Sequence, residues 1–327
     1  MQESERVALS VEKEKKHLPF LVDTIVRLIK EKPLGTAGFL IVIVLLLAGI
    51  FADWLAPYHY MWQDLDHVLE PPSADFLLGT DNLGRDILSR LIYGARISMI
   101  VGLAVPTISS VMHLFIGGLS GFFGGKVDLI VMRFVDTMMC FPPLVIMLTV
   151  VAIIGPGLIQ LILLLGILGG LGGANRATRS YVINIKENVY VEAARAIGAA
   201  DLRIMFRHIV PNILPLVIVG FSMSMGGAIL AESSLSFLGF GIPPPFPSWG
   251  GMLSGQARRY MFTAPWMAVW PGLCLAIVVY GMNMFGDGVR DVLDPRLRGG
   301  LGSYTLNQKK LDKLLKKFKK NEETSIG

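Results

Sequence analysis

Charge is what this chain has least of. Asp, Glu, Lys and Arg make up 17% of its 327 residues against 53% hydrophobic ones, and the mean hydropathy is +0.57. A soluble domain covers its surface with charge at about a quarter of its residues, so a water-facing fold of this size is excluded. Cysteine is almost absent too. Cys140 and Cys274 both fall in apolar stretches, where a free thiol behaves as a small apolar group, and two isolated cysteines supply neither a disulfide framework nor a ligand set for a metal. No Gly-x-x-x-x-Gly-Lys-Ser/Thr segment occurs, which removes the backbone cradle of a P-loop ATPase. His-Glu-x-x-His and Gly-x-Ser-x-Gly are missing as well, so an intramembrane hydrolase lacks its machinery. The expectation is a chain that is not an enzyme, with no catalytic residue, metal or bound cofactor of its own.

What remains in abundance is uncharged, apolar runs. A helix crosses the roughly 30 Å hydrocarbon layer with about 20 residues, and the sequence offers such blocks at 33–52, 97–125, 208–231 and 260–286. A fifth block, 137–175, carries no charge and is interrupted by Gly155-Pro156-Gly157, so it reads as two spans joined by a tight turn. The fold class expected is therefore all-α and integral to the membrane, with about six transmembrane helices. A cleaved signal is a poor reading of the first block, because 32 polar or amphipathic residues precede it and its apolar run is too long. A transmembrane barrel would show weak period-two segments instead.

Lysine and arginine fix the orientation, because cytoplasmic flanks retain them. With the N-terminus inside, 25 of the 30 fall on inner segments, and only Arg85, Arg90, Arg96, Arg258 and Arg259 lie outside. Both termini are expected in the cytoplasm. The chain then divides into an N-terminal cytoplasmic segment (1–32), a first span with an outer loop (33–96), a core of five spans (97–300) and a basic tail (301–327). Leu18, Leu21, Ile25, Leu28 and Ile29 beside Arg27 and Lys30, and later Leu311, Leu314, Leu315 and Phe318 amid lysines, are spaced as amphipathic helices facing anionic lipid. The net charge of +5 follows from this inner-face bias, and nucleic acid is not an expected partner.

Polar groups inside the spans are few. His113, Gln160, Asn212 and Asn283 stand there, with Asp287 at an end, and the carboxylate relays expected of an ion-driven carrier are missing. His113 reads as a histidine bonded to a neighbouring helix. Gly117, Gly118, Gly121, Gly169, Gly170, Gly226 and Gly227 read as helix-packing surfaces. Asp81 or Asn82 is placed to cap an outer interfacial helix carrying Ile87, Leu88, Leu91 and Ile92. The prolines at 243, 244, 245 and 247 forbid a regular helix, and Trp249 and Trp266 read as interfacial anchors.

The segment carrying most information is the inner loop at about 177–211. Residues 191–211 read as helix, turn, helix: Ala193, Ala194 and Ala196 favour helix and allow close approach, Gly198 permits the reversal, Asp201 is placed to cap the second helix, and Pro211 stops or kinks the chain. A DNA-binding helix-turn-helix needs similar residues, but a loop tethered to spans at both ends cannot lay a recognition helix in a major groove.

The Glu192-Ala193-Ala194, three residues, Gly198 arrangement resembles the EAA loop of ABC importer permeases. The match departs at His208 and Val210, where that family usually carries Ile and Leu. Three more segments resemble the oligopeptide/dipeptide and nickel branch, in its C-type subunit: Leu78-Gly79-Thr80-Asp81-Asn82-Leu83-Gly84-Arg85-Asp86 with 89–96, Glu232-Ser233-Ser234-Leu235-Ser236-Phe237-Leu238-Gly239 with 240–250, and Gly286-Asp287-Gly288-Val289-Arg290-Asp291 with Asp294-Pro295-Arg296. The likeness covers about 33–300. It implies the type I importer permease fold in a bacterial inner membrane. It also implies a second homologous permease, two ATP-binding subunits that use the ATP, and an external substrate-binding protein. Glu192, Ala193, Ala194, Arg195, Gly198 and Asp201 are expected at the ATPase joint, and Met223, Met225 and Asn283 on the pathway. The cargo implied is a di- or oligopeptide, with nickel or another small solute as the alternative within the family and a standalone secondary carrier as the alternative outside it.

Overall fold

A computed structural model describes residues 20–293, all of its regular structure helical. Leu18, the 301–327 tail with Leu311, Leu314, Leu315 and Phe318, and the Asp294-Pro295-Arg296 segment lie outside the described residues. The chain divides into a unit of residues 34–287 and a smaller one formed by the two ends of the chain. In the smaller unit α1, Phe20–Glu31, is helical as its spacing predicts, with Leu28 buried and Ile25 and Ile29 exposed. Lys32 Nζ lies 2.6 Å from Asp291 Oδ2 there.

The larger unit begins at Leu34, within α2 (Pro33–Ile50), and continues with α3 (Ile87–Phe123). Then come α4 (Gly125–Met139) with α5 (Pro143–Ile154), and α6 (Leu158–Gly170) with α7 (Ala174–Lys186). The short α8 (Val189–Ala196) and α9 (Asp201–Ile204) lead through a π turn, Met205–Ile209, into α10 (Val210–Phe237), and α11 (Trp266–Leu293) closes the described chain. Among the described residues four helical stretches are long and apolar enough to cross a membrane by themselves: Pro33–Ile50, Ile87–Phe123, Asp201–Phe237 and Trp266–Leu293. The bent pairs α4–α5 (86°) and α6–α7 (49°) raise the number to as many as 6, with each pair counted as one span. At 1.5 Å per residue α5 and α6 are only about 18–20 Å long, too short to cross alone, so each needs its bent partner. The bends fall where sequence chemistry breaks a helix, at Pro142-Pro143 and at the glycines of 169–173.

Several local expectations are corrected. The boundary placed at 96–97 falls within the single helix α3, whose N-terminal turns are continuous with the second span. Its cap is Asp86, accepting from the Ser89 N–H at 2.7 Å. Asp81 instead braces the loop before it, accepting from the N–H groups of Leu83 (2.8 Å) and Arg85 (3.1 Å). Trp249 is no interfacial anchor: it is 3% exposed and its indole N–H donates to the Leu91 carbonyl at 3.0 Å. Trp266 is half-buried and donates to the Thr80 carbonyl at 3.1 Å. Cys140 is the exposed C-cap of α4, in the break before Pro142-Pro143. His113 Nε2 lies 3.1 Å from the Gly169 carbonyl on the neighbouring helix, as expected.

The packing glycines divide by position. A Cβ at Gly117, Gly121 or Gly170 would meet α7 or α3 atoms within 2.8 Å, and one at Gly226 would meet Asn283 Oδ1 at 2.9 Å. Gly118 and Gly227 have open space around the same point, so they pack against nothing among the described residues.

The loops sort into two groups that match the charge count. Asp81, Pro156 and Pro243 line one cavity, so the segments after α2, α5 and α10 converge on the side poor in lysine and arginine. Phe122, Val182, Val191, Ala194 and Ile204 share one buried cluster at the other end, where the basic segments converge.

Candidate functional site: a hairpin on the basic face

The hairpin at 189–204 is built by two local devices. Helix α8 ends in Gly198, whose φ of +83° lies in the left-handed region that glycine enters without a Cβ penalty. The Gly198 N–H donates to Arg195 O at 3.0 Å and the Ala199 N–H to Ala194 O at 3.1 Å, the paired bonds of a Schellman terminus. Among the described residues, its chain neighbours apart, no atom lies within 4 Å of where a Gly198 Cβ would stand, so the glycine is required by backbone conformation and not by crowding. Asp201 was expected to cap the next helix, but the N-cap position is Ala200 and no side-chain cap bond forms. Asp201 occupies the first turn, where its charge still opposes the positive end of the helix.

The hairpin is fastened by its inward face. Val191 (1% exposed), Ala194, Ile204, Met205 and Ile209 pack with Phe122 of α3 and Val182 of α7. Around this cluster the ends of α3, α4 and α7 are tied by polar bonds. The Arg179 guanidinium donates from Nε and Nη2 to the two Asp128 oxygens at 2.5 Å, Ser120 Oγ donates to the same carboxylate, and Lys186 Nζ donates to the Phe122 carbonyl at 2.6 Å. Sequence reading missed the Asp128–Arg179 pair. Its only signal was the pairing of isolated charges at the edges of apolar blocks, 51 positions apart.

Among the described residues the outward face has no partner. Glu192, Ala193, Arg195, Gly198 and Asp201 are exposed, whereas Ala194 points inward. Among the described residues Glu192 and Arg195 make no side-chain hydrogen bond or ion pair. Beside them Val189 is 80% exposed, Ile197 86% and Leu202 65%. These apolar side chains are on the end of the molecule where basic segments converge, so lipid tails do not account for them, and an exposed apolar patch of this kind marks an interaction surface.

Of the residues expected on the pathway, one is buried and two are exposed. Met225 is 3% exposed within a core cluster with Val42, Leu45 and Met282. Met223 is 40% exposed on α10. Asn283 is exposed on α11, in a shallow hollow with Leu230, Val279 and Tyr280.

Comparison with known proteins accords with this arrangement. Residues 113–299 match the family described as binding-protein-dependent transport system inner membrane component, and residues 21–72 match the N-terminal TM domain of oligopeptide transport permease C. The chain is 42% identical over 267 residues to the di/tripeptide transport system permease protein DppC of Pseudomonas aeruginosa (strain UCBPP-PA14), covering 80% of this chain and 88% of that one. It is 38% identical to the dipeptide transport system permease protein DppC of Alkalihalophilus pseudofirmus, covering 83% and 88%. It is also 38% identical to the glutathione transport system permease protein GsiD of Pectobacterium atrosepticum, covering 81% and 87%. With the family match extending over more than half of a chain whose helices make up to six spans, this protein belongs to the binding-protein-dependent transport system inner membrane components, as a multi-pass DppC/OppC-like permease of the ABC type I fold.

Proposed function

We propose that this permease carries di- or oligopeptides across the inner membrane, with the energy supplied by separate ATP-binding subunits that seat on the 189–204 hairpin. The cargo reading rests on relatives named for dipeptides, di/tripeptides and glutathione. The docking reading is carried by one observation: Ile197, 86% exposed, stands beside the unpartnered Glu192 and Arg195 on a helix whose other face is locked into the bundle by Val191 and Ala194. A rigid knob with an apolar tip and two free charges can take up a push and pass it to α3, α7 and α10 through their shared cluster. A second homologous permease and an external binding protein complete the assembly, and ATP is bound by the partners, not by this chain. The exposed stripe of α10 that includes Met223, Ser224 and Gly227 faces the pathway between the two permeases in this reading.

Ile197→Asp and Glu192→Lys test the docking. Neither side chain contributes to the core, so both variants should insert and assemble with the second permease while losing co-purification of the ATP-binding subunits and ATP-driven peptide uptake in proteoliposomes. Retention of the ATP-binding subunits with normal uptake would refute the assignment of the hairpin.

A further inference from the structure

The cavity where the outer segments converge has a volume of about 300 Å³, the lower end of the size typical of small-ligand sites. Its lining carries one acid and two bases. Asp81 is fully engaged: besides the two loop N–H groups, it accepts from Arg85 Nε at 2.7 Å. Arg90 is different. Its side chain is 10% exposed, it pairs with Asp81 Oδ2 through Nε at 3.7 Å, beyond hydrogen-bond distance, and its one side-chain hydrogen bond among the described residues is a long one from Nη1 to the Tyr60 carbonyl at 3.4 Å. A guanidinium presents five N–H donors. Burying such a cation costs several kcal/mol unless it is paired and bonded. Arg90 shares its ion-pair partner Asp81 with the closer Arg85, so the wall of the cavity carries two guanidinium groups against one carboxylate, and most of the Arg90 donors are unused. Glu232 does not supply the missing charge. It is fully buried behind Ser236 and Ser233, from whose hydroxyls it accepts at 2.6 and 3.1 Å, and it is not part of the lining.

The rest of the lining indicates what the anion is attached to. The Ser248 and Ser254 hydroxyls in the lining are already bonded to the Gly251 backbone, while Ile87, Ile242, Met252 and Met267 give an apolar floor. A carboxylate joined to a short, partly apolar body fits this combination, and guanidinium groups bind carboxylates through paired, charge-assisted bonds. We propose that the cavity is a binding site for the free C-terminal carboxylate of a short peptide in transit, with Arg90 as its principal donor. The proposal rests on the peptide cargo proposed above, and deepens it by placing a station for that cargo within the permease itself.

The test uses the assembled transporter in nanodiscs, without the external binding protein, whose own recognition of peptide ends would mask the effect. Binding of radiolabelled alanyl-alanine and of its C-terminal amide is measured by equilibrium dialysis. The acid should bind roughly tenfold or more tightly than the amide, the value of a charged hydrogen bond, Arg90→Gln should erase that preference, and Arg90→Lys should keep part of it. Equal binding of acid and amide by the wild type, absence of dipeptide binding, or an unchanged preference in Arg90→Gln would each overturn the proposal. If Arg90→Gln fails to assemble, Arg90→Lys and the wild-type comparison still decide. ATP-driven uptake of alanyl-alanine, with the binding protein added back, separates the two readings. Uptake without any acid preference in the dialysis leaves the cargo assignment standing and removes only the site. A variant that slows uptake solely when the binding protein is present, with dialysis unchanged, also overturns the site, since it places Arg90 at a protein contact.

Discussion

Replacing Gly198 separates two reasons for which a glycine can be required. Its φ is +83° and no atom lies within 4 Å of a built Cβ, so alanine there meets no neighbour and costs only the left-handed backbone conformation, about 1–2 kcal/mol. Asparagine enters the same region with less penalty and should cost clearly less than alanine. The cost falls on the bonds that close the turn, Ala199 N–H to Ala194 O and Gly198 N–H to Arg195 O. Local opening of those bonds should therefore become more frequent by roughly 5–30-fold in Gly198→Ala. Hydrogen exchange followed by mass spectrometry on the peptide spanning the hairpin, with the transporter in nanodiscs, reads that factor directly. Exchange unchanged in Gly198→Ala, or accelerated equally by alanine and asparagine, would refute the argument from backbone conformation.

Glycines under crowding should behave in the opposite way. A Cβ at Gly38 would stand 2.5 Å from both the Gly281 carbonyl oxygen and the Phe285 nitrogen, so Gly38→Ala should lose about 1–3 kcal/mol to overpacking, seen as a lower Tm, whereas Gly118→Ala, in open space, should be neutral or gain up to about 1 kcal/mol. Trp249→Phe removes the buried indole bond to Leu91 and leaves a partial void, at about 1–3 kcal/mol, measurable by thermal unfolding in detergent. On the exposed outer loop, His67 Nδ1 is 2.9 Å from Asp64 Oδ2; this bond holds the His67 pKa above 6.5 and the Asp64 pKa below 3.8. The sign for His67 is that its stabilisation is complete below 6.5 and lost as pH rises through its raised folded value. For Asp64 it is complete above 3.8 and lost as pH falls through its lowered one. Protease resistance of the loop should therefore be greatest between about pH 4 and 6.5 and decline on both sides, and His67→Asn should remove the decline on the alkaline side.

Span positions and the hairpin were legible because both depend on local composition. An uncharged run long enough to cross a bilayer has few other uses, and the left-handed turn at Gly198 needs the one residue that a reader of the sequence sees at once. What could not be read was set by neighbours distant in the chain. Asp81, Asn82 and Asp86 are equally good caps by type, and only the folded loop shows that Asp81 is occupied with Leu83 and Arg85 while Asp86 meets Ser89. Trp249 has the residue type of an interfacial anchor, and its burial against Leu91 spans 158 positions. Met225 and Met223 are two residues apart on one helix, so one had to face the core if the other faced out, yet the phase is set by packing with α2 and α11 and not by either residue. The bends of 86° and 49° were half legible, since Pro142-Pro143 and the 169–173 glycines mark where a helix yields, but not how far.

The hairpin and the outer cavity lie at opposite ends of the same helix, and this constrains how one can act on the other. Helix α10 has 28 residues, about 42 Å at 1.5 Å per residue. Ile213 near its start is packed in the hairpin's cluster, and Ser236 near its end lines the cavity with Arg90. Between them the helix makes close backbone contact with α11, where Gly286 sits 3.0 Å by its built Cβ from the Met223 Cα. The part next to the hairpin is the weak part: the π turn Met205–Ile209, Pro211 and Pro215 all fall there, and such features localise bending because they interrupt the backbone ladder. From Leu216 onward no proline remains in α10. If the hairpin is displaced by a docked partner, bending is therefore expected before Leu216, and the remainder of α10 should move as one rod against α3 and α11, on which it packs through Met225, Ala228 and Ile229. Its far end carries Ser236 of the cavity wall and the buried Glu232 network, so in the docking reading proposed above α10 itself is the route from the basic face to the Arg90 cavity.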